Sequence, residues 1–126
     1  FLVSSSLLAV MSQRLVRLLC RECREAVAPG VAEREQLNIG SDEEVTLYQP
    51  GSCSHCNFTG FRGRTGIYEL IEVDEELRTM IYDGASEQQM LEVARRRYPG
   101  IEADGRSRVL AGDTSLAEVL RVTSVS

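Results

Sequence analysis

Two short stretches, "CREC" from Cys20 to Cys23 and "CSHC" from Cys53 to Cys56, contain every cysteine of the chain, with residues 24–52 between them. Two residues between cysteines let the backbone turn so that both sulfurs face one centre. Two such turns supply the corners of a tetrahedron around a zinc ion about 2.3 Å from each sulfur. Where thiols are kept reduced, this pattern is more commonly metal-binding than disulfide-forming. The expectation is one zinc ion held by Cys20, Cys23, Cys53 and Cys56. Four thiolates leave no open position for water, so the site reads as structural and not catalytic. A thioredoxin-like redox pair is the competing reading, but it uses one CxxC at a helix start and leaves the second pair unexplained. His55 lies inside the second pair and reads as an exposed loop residue, because the sulfurs already fill the tetrahedron. Arg21, Arg24 and Arg62 are near the cysteines in sequence and are candidates to offset the negative charge of such a site.

Fourteen basic residues against 19 acidic ones give a net charge of -5, which disfavours diffuse attraction to phosphate backbones. A nucleic-acid-binding zinc ribbon, with Phe58, Phe61, Arg62 and Arg64 as its aromatic and basic patch, is therefore the weaker functional class. A structural zinc module within a larger machine is the stronger. Apart from His55, every basic residue is arginine. A Walker A loop needs a lysine at the phosphates, so these residues contain none. The apolar run near the start is well short of the roughly 20 residues of a membrane span, and Gln13, Arg14 and Arg17 interrupt its continuation. It also lacks the basic flank and small-residue cleavage site of a signal peptide. The simplest placement is intracellular, and a chain opening on Phe1 reads as the middle of something larger.

Leu7, Leu8, Met11, Leu15, Leu18 and Leu19 recur at helical spacing after Ser4 to Ser6, predicting a helix from about Ser6 to Leu19. On that helix Arg14, Arg17 and Arg21 would form a solvated stripe near the C-terminal end. "VAEREQLNI" predicts a short helix, "VTLYQ" a strand, and "TGIYELIEV" a strand with at least one buried face. Asp74 is placed to cap "EELRTMIYDG". Ser86 with Gln89 predicts a capping box for "EQQMLEVARRRY", and Ser115 with Glu118 predicts another for "LAEVLRV".

The order of "SSSLLAVMSQRLVRLLCREC", "GSCSHC", "GFRGRTGIYELIEVDEELRTMI" and "DGRSRVLAGDTSLAEVLRVT" resembles the C-terminal part of the type II secretion ATPases, the GspE family. The resemblance covers nearly the whole chain, with the pilus-assembly ATPases as the nearest alternative. It implies a mixed α/β, mostly helical piece of a RecA-like ATPase C-terminal domain. Residues 1–19 would be the last helix of the ATPase core, 20–62 a tetracysteine zinc subdomain, and 63–126 a strand plus a helical C-terminal extension. It further implies a cytoplasmic homohexamer, peripheral to the bacterial inner membrane and docked on inner-membrane platform proteins. That hexamer hydrolyses ATP with Mg2+ to drive pseudopilus assembly. The nucleotide motifs would lie upstream of Phe1, so ATP and Mg2+ belong to the full-length parent alone. Arg64 matches the family's G-R-T-G position, where arginines lie as oligomer neighbours approach the nucleotide; Arg14 and Arg17 are weaker candidates for that role.

Lacking a lysine to meet the phosphates, the isolated chain is expected neither to hydrolyse ATP nor to bind it tightly. Steady turnover that survives repurification would contradict this, and a sub-micromolar nucleic-acid complex at physiological salt would restore the zinc-ribbon reading.

Overall fold

The computed structural model describes residues 9–123. Its longest feature is an antiparallel ribbon of β1 (Ala9–Leu19) and β4 (Phe61–Glu72). The register runs from Ala9 opposite Glu72 to Leu19 opposite Phe61, with an irregularity between Arg17 and Leu19. Between these strands the chain forms β2 (Glu25–Val27), α1 (Val31–Leu37), β3 (Leu47–Gln49) and a 3-10 turn at Ser54–Cys56. β2 and β3 pair antiparallel. Four helices follow β4: α2 (Glu75–Tyr82), α3 (Glu87–Arg97), α4 (Ile101–Leu110) and α5 (Leu116–Thr123). The architecture is mixed α/β, with more residues in helix than in strand.

The helix expected over 6–19 is a strand where the structure describes it, over 9–19; Ser6 to Leu8 lie outside the described residues. The apolar spacing of Met11 and Leu15 suggested a helical stripe, yet these side chains are 64% and 49% exposed while Val16 and Leu19 are buried. What decides the element is non-local. β4 supplies a ladder of partners along the whole of β1, and pairing of this extent overrides a local helical pattern. The arginine stripe disappears with the helix. Arg14 instead donates to the Val122 carbonyl, Arg17 pairs with Glu118, and Arg21 pairs with Asp113 at 2.9 Å.

Partners across the ribbon share a face, so Val16 and Ile67 point to one side and Met11, Leu15, Tyr68 and Leu70 to the other. Val16 and Ile67 are fully buried and join Leu37, Ile39, Leu47, Ile101, Val109 and Val119 in one apolar cluster. Removing each such side chain from water contributes about 1.5–3 kcal/mol. The segment between the cysteine pairs thus shares a core with the ribbon, α4 and α5. A separate cluster of Val73, Leu77 and Val93 joins α2 and α3.

Asp74 caps α2 by accepting from the Leu77 amide at 3.0 Å, and Ser86 with Gln89 forms the expected capping box on α3. At α5 only half of the expected box forms. Ser115 Oγ accepts from the Glu118 amide at 3.2 Å, but the Glu118 carboxylate turns away to the ribbon. It accepts from the Arg17 amide at 2.9 Å, from the Arg17 guanidinium at 2.8 Å and from Arg121 at 2.8 Å. These donors hold a carboxylate that is only 3% exposed. Burial pushes its pKa up, but the hydrogen bonds from Arg121, Arg17 and the Arg17 amide outweigh burial and carry it from its ordinary 4.5 down to about 2.

Because folding depresses this pKa, Glu118 contributes stability above pH 4.5 that is lost as pH falls towards about 2. Urea midpoints for the wild-type chain should therefore drop more steeply across that interval than those of Glu118→Gln. Glu118→Ala should cost about 1–3 kcal/mol at pH 7, less than the roughly 3–5 kcal/mol of a fully buried broken pair because both arginines reach water. A parallel pH dependence in Glu118→Gln would contradict this assignment.

Candidate metal centre

The first cysteine pair begins where β1 ends. Cys20 follows Leu19 directly, and its carbonyl accepts from the Cys23 amide at 3.4 Å and the Arg24 amide at 3.0 Å, closing a tight turn. The second pair closes in the same manner, with the Cys53 carbonyl accepting from Cys56 at 3.3 Å and Phe58 at 2.8 Å. β4 starts five residues after Cys56, and the Cys20 amide donates to the Gly60 carbonyl at 2.9 Å, tying the two turns together. The approach is close: a Cβ on Gly51 would lie 2.0 Å from the Cys23 carbonyl oxygen, so only glycine fits there.

The four sulfurs lie within 4.8 Å of one another. Cys20 to Cys53, Cys23 to Cys56 and Cys53 to Cys56 are each 3.8 Å apart. A disulfide needs about 2.05 Å, and all four cysteines are free. A tetrahedron with metal–sulfur bonds of about 2.3 Å has edges of about 3.8 Å, which three of the six sulfur–sulfur distances match, so the donor set suits one metal ion. Cys20 and Cys56 are buried and the other two half-buried. The Gly60 amide donates to Cys56 Sγ at 3.1 Å.

The thiols differ in how readily they ionise. Desolvation, then hydrogen bonding to the other three sulfurs, pushes Cys23 up to about 12. Desolvation also acts to raise Cys56, but hydrogen bonds involving Cys53, Gly60 and the neighbouring sulfurs bring it down to about 6. One thiolate therefore forms easily and opposes the next. A bound cation favours the thiolate form of the cysteines that ligate it.

His55 is exposed and outside the sulfur group; its ring lies against Arg62. Arg21 and Arg24 are turned to the loop between α4 and α5, Arg21 to the Asp113 carboxylate and Arg24 to the Gly112 carbonyl at 2.6 Å. Arg24 also lies over the Tyr48 ring at 4.0 Å. Arg17 lies over the Phe61 ring at 4.1 Å as well as pairing with Glu118. Arg64, opposite Arg17 in the ribbon, is exposed and has no hydrogen-bond or ion-pair partner among the described residues. Gly112, Asp113 and Thr114 are the participants that sequence reasoning missed. "AGDTS" is legible as a turn before a capped helix but carries no mark of what it binds.

A model of the family described as type II/IV secretion system protein matches residues 1–121. The chain is 48% identical over 125 residues to type II secretion system protein E of Aeromonas hydrophila, covering 98% of this chain and 25% of the relative. It is 46% identical over 123 residues to type II secretion system protein E of Pseudomonas aeruginosa, covering 98% and 24%. It is 45% identical over 126 residues to type II secretion system ATPase E of Vibrio cholerae, covering 100% and 25%. The chain thus spans about a quarter of the length of these curated relatives.

Protein prepared under reducing conditions without chelator should carry one equivalent of metal by elemental analysis, and Cys53→Ser should lose most of it. Metal well below one equivalent, or full retention in Cys53→Ser, would contradict the four-sulfur assignment.

Proposed function

We propose that this chain, which belongs to the type II/IV secretion system protein family, is the zinc-bearing C-terminal part of the ATPase that powers type II protein secretion. The observation that carries the reading is a ready four-sulfur tetrahedron on a chain that matches this family almost end to end. In this proposal the ion is zinc, and with all four positions taken by sulfur it acts as a crosslink. The chain's own residues then do mechanical work. Cys20 follows β1 directly and Cys56 leads into β4, so these residues would hold a shared ion at the end of the ribbon, where it would crosslink the two strands.

The domain division expected from sequence is kept, with residues 1–19 closing the ATPase core, 20–62 forming the zinc module and 63–126 the strand and helical extension. It carries two amendments, that 9–19 are strand and that β4 already begins at Phe61, inside the span given to the zinc module. The RecA-like core, the phosphate-binding lysine and the Mg2+ site would lie in the other three quarters of the parent. That parent is proposed to be a cytoplasmic homohexamer at the inner membrane, docked on platform proteins and driving pseudopilus assembly. No helix among the described residues is long and apolar enough to cross a membrane. The names of the relatives favour type II secretion over pilus assembly, and the net charge of -5 weighs against nucleic acid.

Within this reading Arg64 is the arginine aimed at a neighbouring subunit or its nucleotide. Arg14 is committed to the Val122 carbonyl and Arg17 to Glu118, whereas Arg64 is exposed on a rigid strand and unpaired among the described residues. A planar fork so placed can grip a phosphate or carboxylate that an ammonium grips only as a point charge. Arg64→Lys in the full-length hexamer should lower ATP turnover by roughly tenfold or more, a part of the roughly 10³–10⁵ that an arginine contributes to phosphoryl transfer because lysine keeps the charge. Zinc content and melting temperature should hold. Unchanged turnover, or a melting temperature that falls with it, would return Arg64 to a purely structural role.

A further inference from the structure

The outer edge of β1, the side away from β4, is bound by one short segment. The Leu19 amide donates to the Asp113 carbonyl at 2.8 Å, and the Thr114 hydroxyl donates to the Arg17 carbonyl at 2.7 Å. The Arg17 amide donates to the Glu118 carboxylate at 2.9 Å. The same segment then follows the chain into the first cysteine turn, where Arg21 meets the Asp113 carboxylate at 2.9 Å and Arg24 donates to the Gly112 carbonyl at 2.6 Å.

Gly112 sits at the tightest point of this contact. Its φ of +82° is left-handed, and a Cβ there would lie 2.8 Å from Arg24 Nη1 and 3.2 Å from the Tyr48 ring. Tyr48 belongs to β3, so the loop touches both halves of the region between the cysteine pairs. Beneath this polar contact, Leu37, Ile39 and Leu47 share an apolar cluster with Val109 and Val119. The α2–α3 pair closes over its own cluster and takes no part.

We propose that Gly112–Glu118 is a clasp coupling metal occupancy at the four cysteines to the seating of α5 on β1. This inference rests on the metal-centre reading above. The turn from Cys20 to Cys23 sets the directions of Arg21 and Arg24, whose contacts with residues 113 and 112 are the part of the clasp that depends on that turn. When the sulfurs are released, that turn loosens, and α5 keeps Glu118, the Val122 carbonyl and its apolar residues Leu116, Val119 and Val122 as anchors. Coupling of this kind is reciprocal: damage to the clasp weakens metal binding by the factor by which metal loss loosens the helix.

The test uses the full chain and begins with its metal content. After zinc is withdrawn by a competing chelator, amides of α5 should exchange with deuterium faster by roughly 5- to 150-fold, the usual range of such couplings, while those of α3 stay within twofold. In the reverse arm, Arg24→Ala and Gly112→Ala should each weaken zinc binding by a similar factor in competition with a chromophoric chelator, although neither touches a sulfur. Arg24→Lys, which keeps the charge and loses the planar stack on Tyr48, guards against a misfolded alanine variant and should fall between. Unchanged α5 protection after the metal has left, equal loosening of α3, or unaltered zinc affinity in folded clasp variants would overturn the proposal while leaving the metal centre intact. A chain that binds no metal at all would overturn both.

Discussion

The last residues of β1 carry obligations on both sides, and the rest of the molecule is arranged around meeting them. Their inner edge pairs with β4, and their outer amide and carbonyl groups are taken by residues 113–118. A strand edge left open exposes unpaired polar groups and invites pairing with other chains. Here a carboxylate, a hydroxyl and a backbone carbonyl close it. Glu118 is the costliest of the three to bury, and it is held by charge-assisted bonds from two arginines and an amide.

The metal centre inherits its geometry from that arrangement. Two CxxC turns far apart in sequence converge because Cys20 ends one strand of the ribbon and Cys56 lies just before the other. The ribbon brings the turns near, and the glycine at 51 allows the final approach. Four sulfurs already gathered within 4.8 Å of one another mean that less of the binding free energy is lost to rearranging ligands. Of the arginines beside the cysteines, Arg21 and Arg24 stitch the module to the loop between α4 and α5, while Arg62 lies against His55.

The cysteine constellation was fully legible, because its information is in residue type and spacing. So were the caps of α2 and α3, where Asp74, Ser86 and Gln89 act on amides three residues away. β1 was misread, because the leucines and methionine that suggested a helical stripe include the exposed face of the ribbon, and strand pairing is a long-range fact. α4 was not assigned. Its stretch "IEADGRSRVL" has few apolar residues and a central glycine, so periodicity is faint even though Ile101 and Val109 are buried. Glu118 illustrates the limit most directly. As the third residue after a capping serine it reads as a local cap, and only the fold reveals that its partner is Arg17, 101 residues away.

That separation has a consequence during synthesis. A ribosome adds about 5–20 residues per second, so Cys53 follows Cys20, 33 residues earlier, by roughly 2–7 seconds. Until then the first pair can offer a metal only half of its ligands. Glu118 emerges 101 residues after Arg17, roughly 5–20 seconds later. The ribbon can therefore pair, and the sulfurs gather, while the outer edge of β1 still stands open, and the nascent chain is most exposed to wrong partners in that interval.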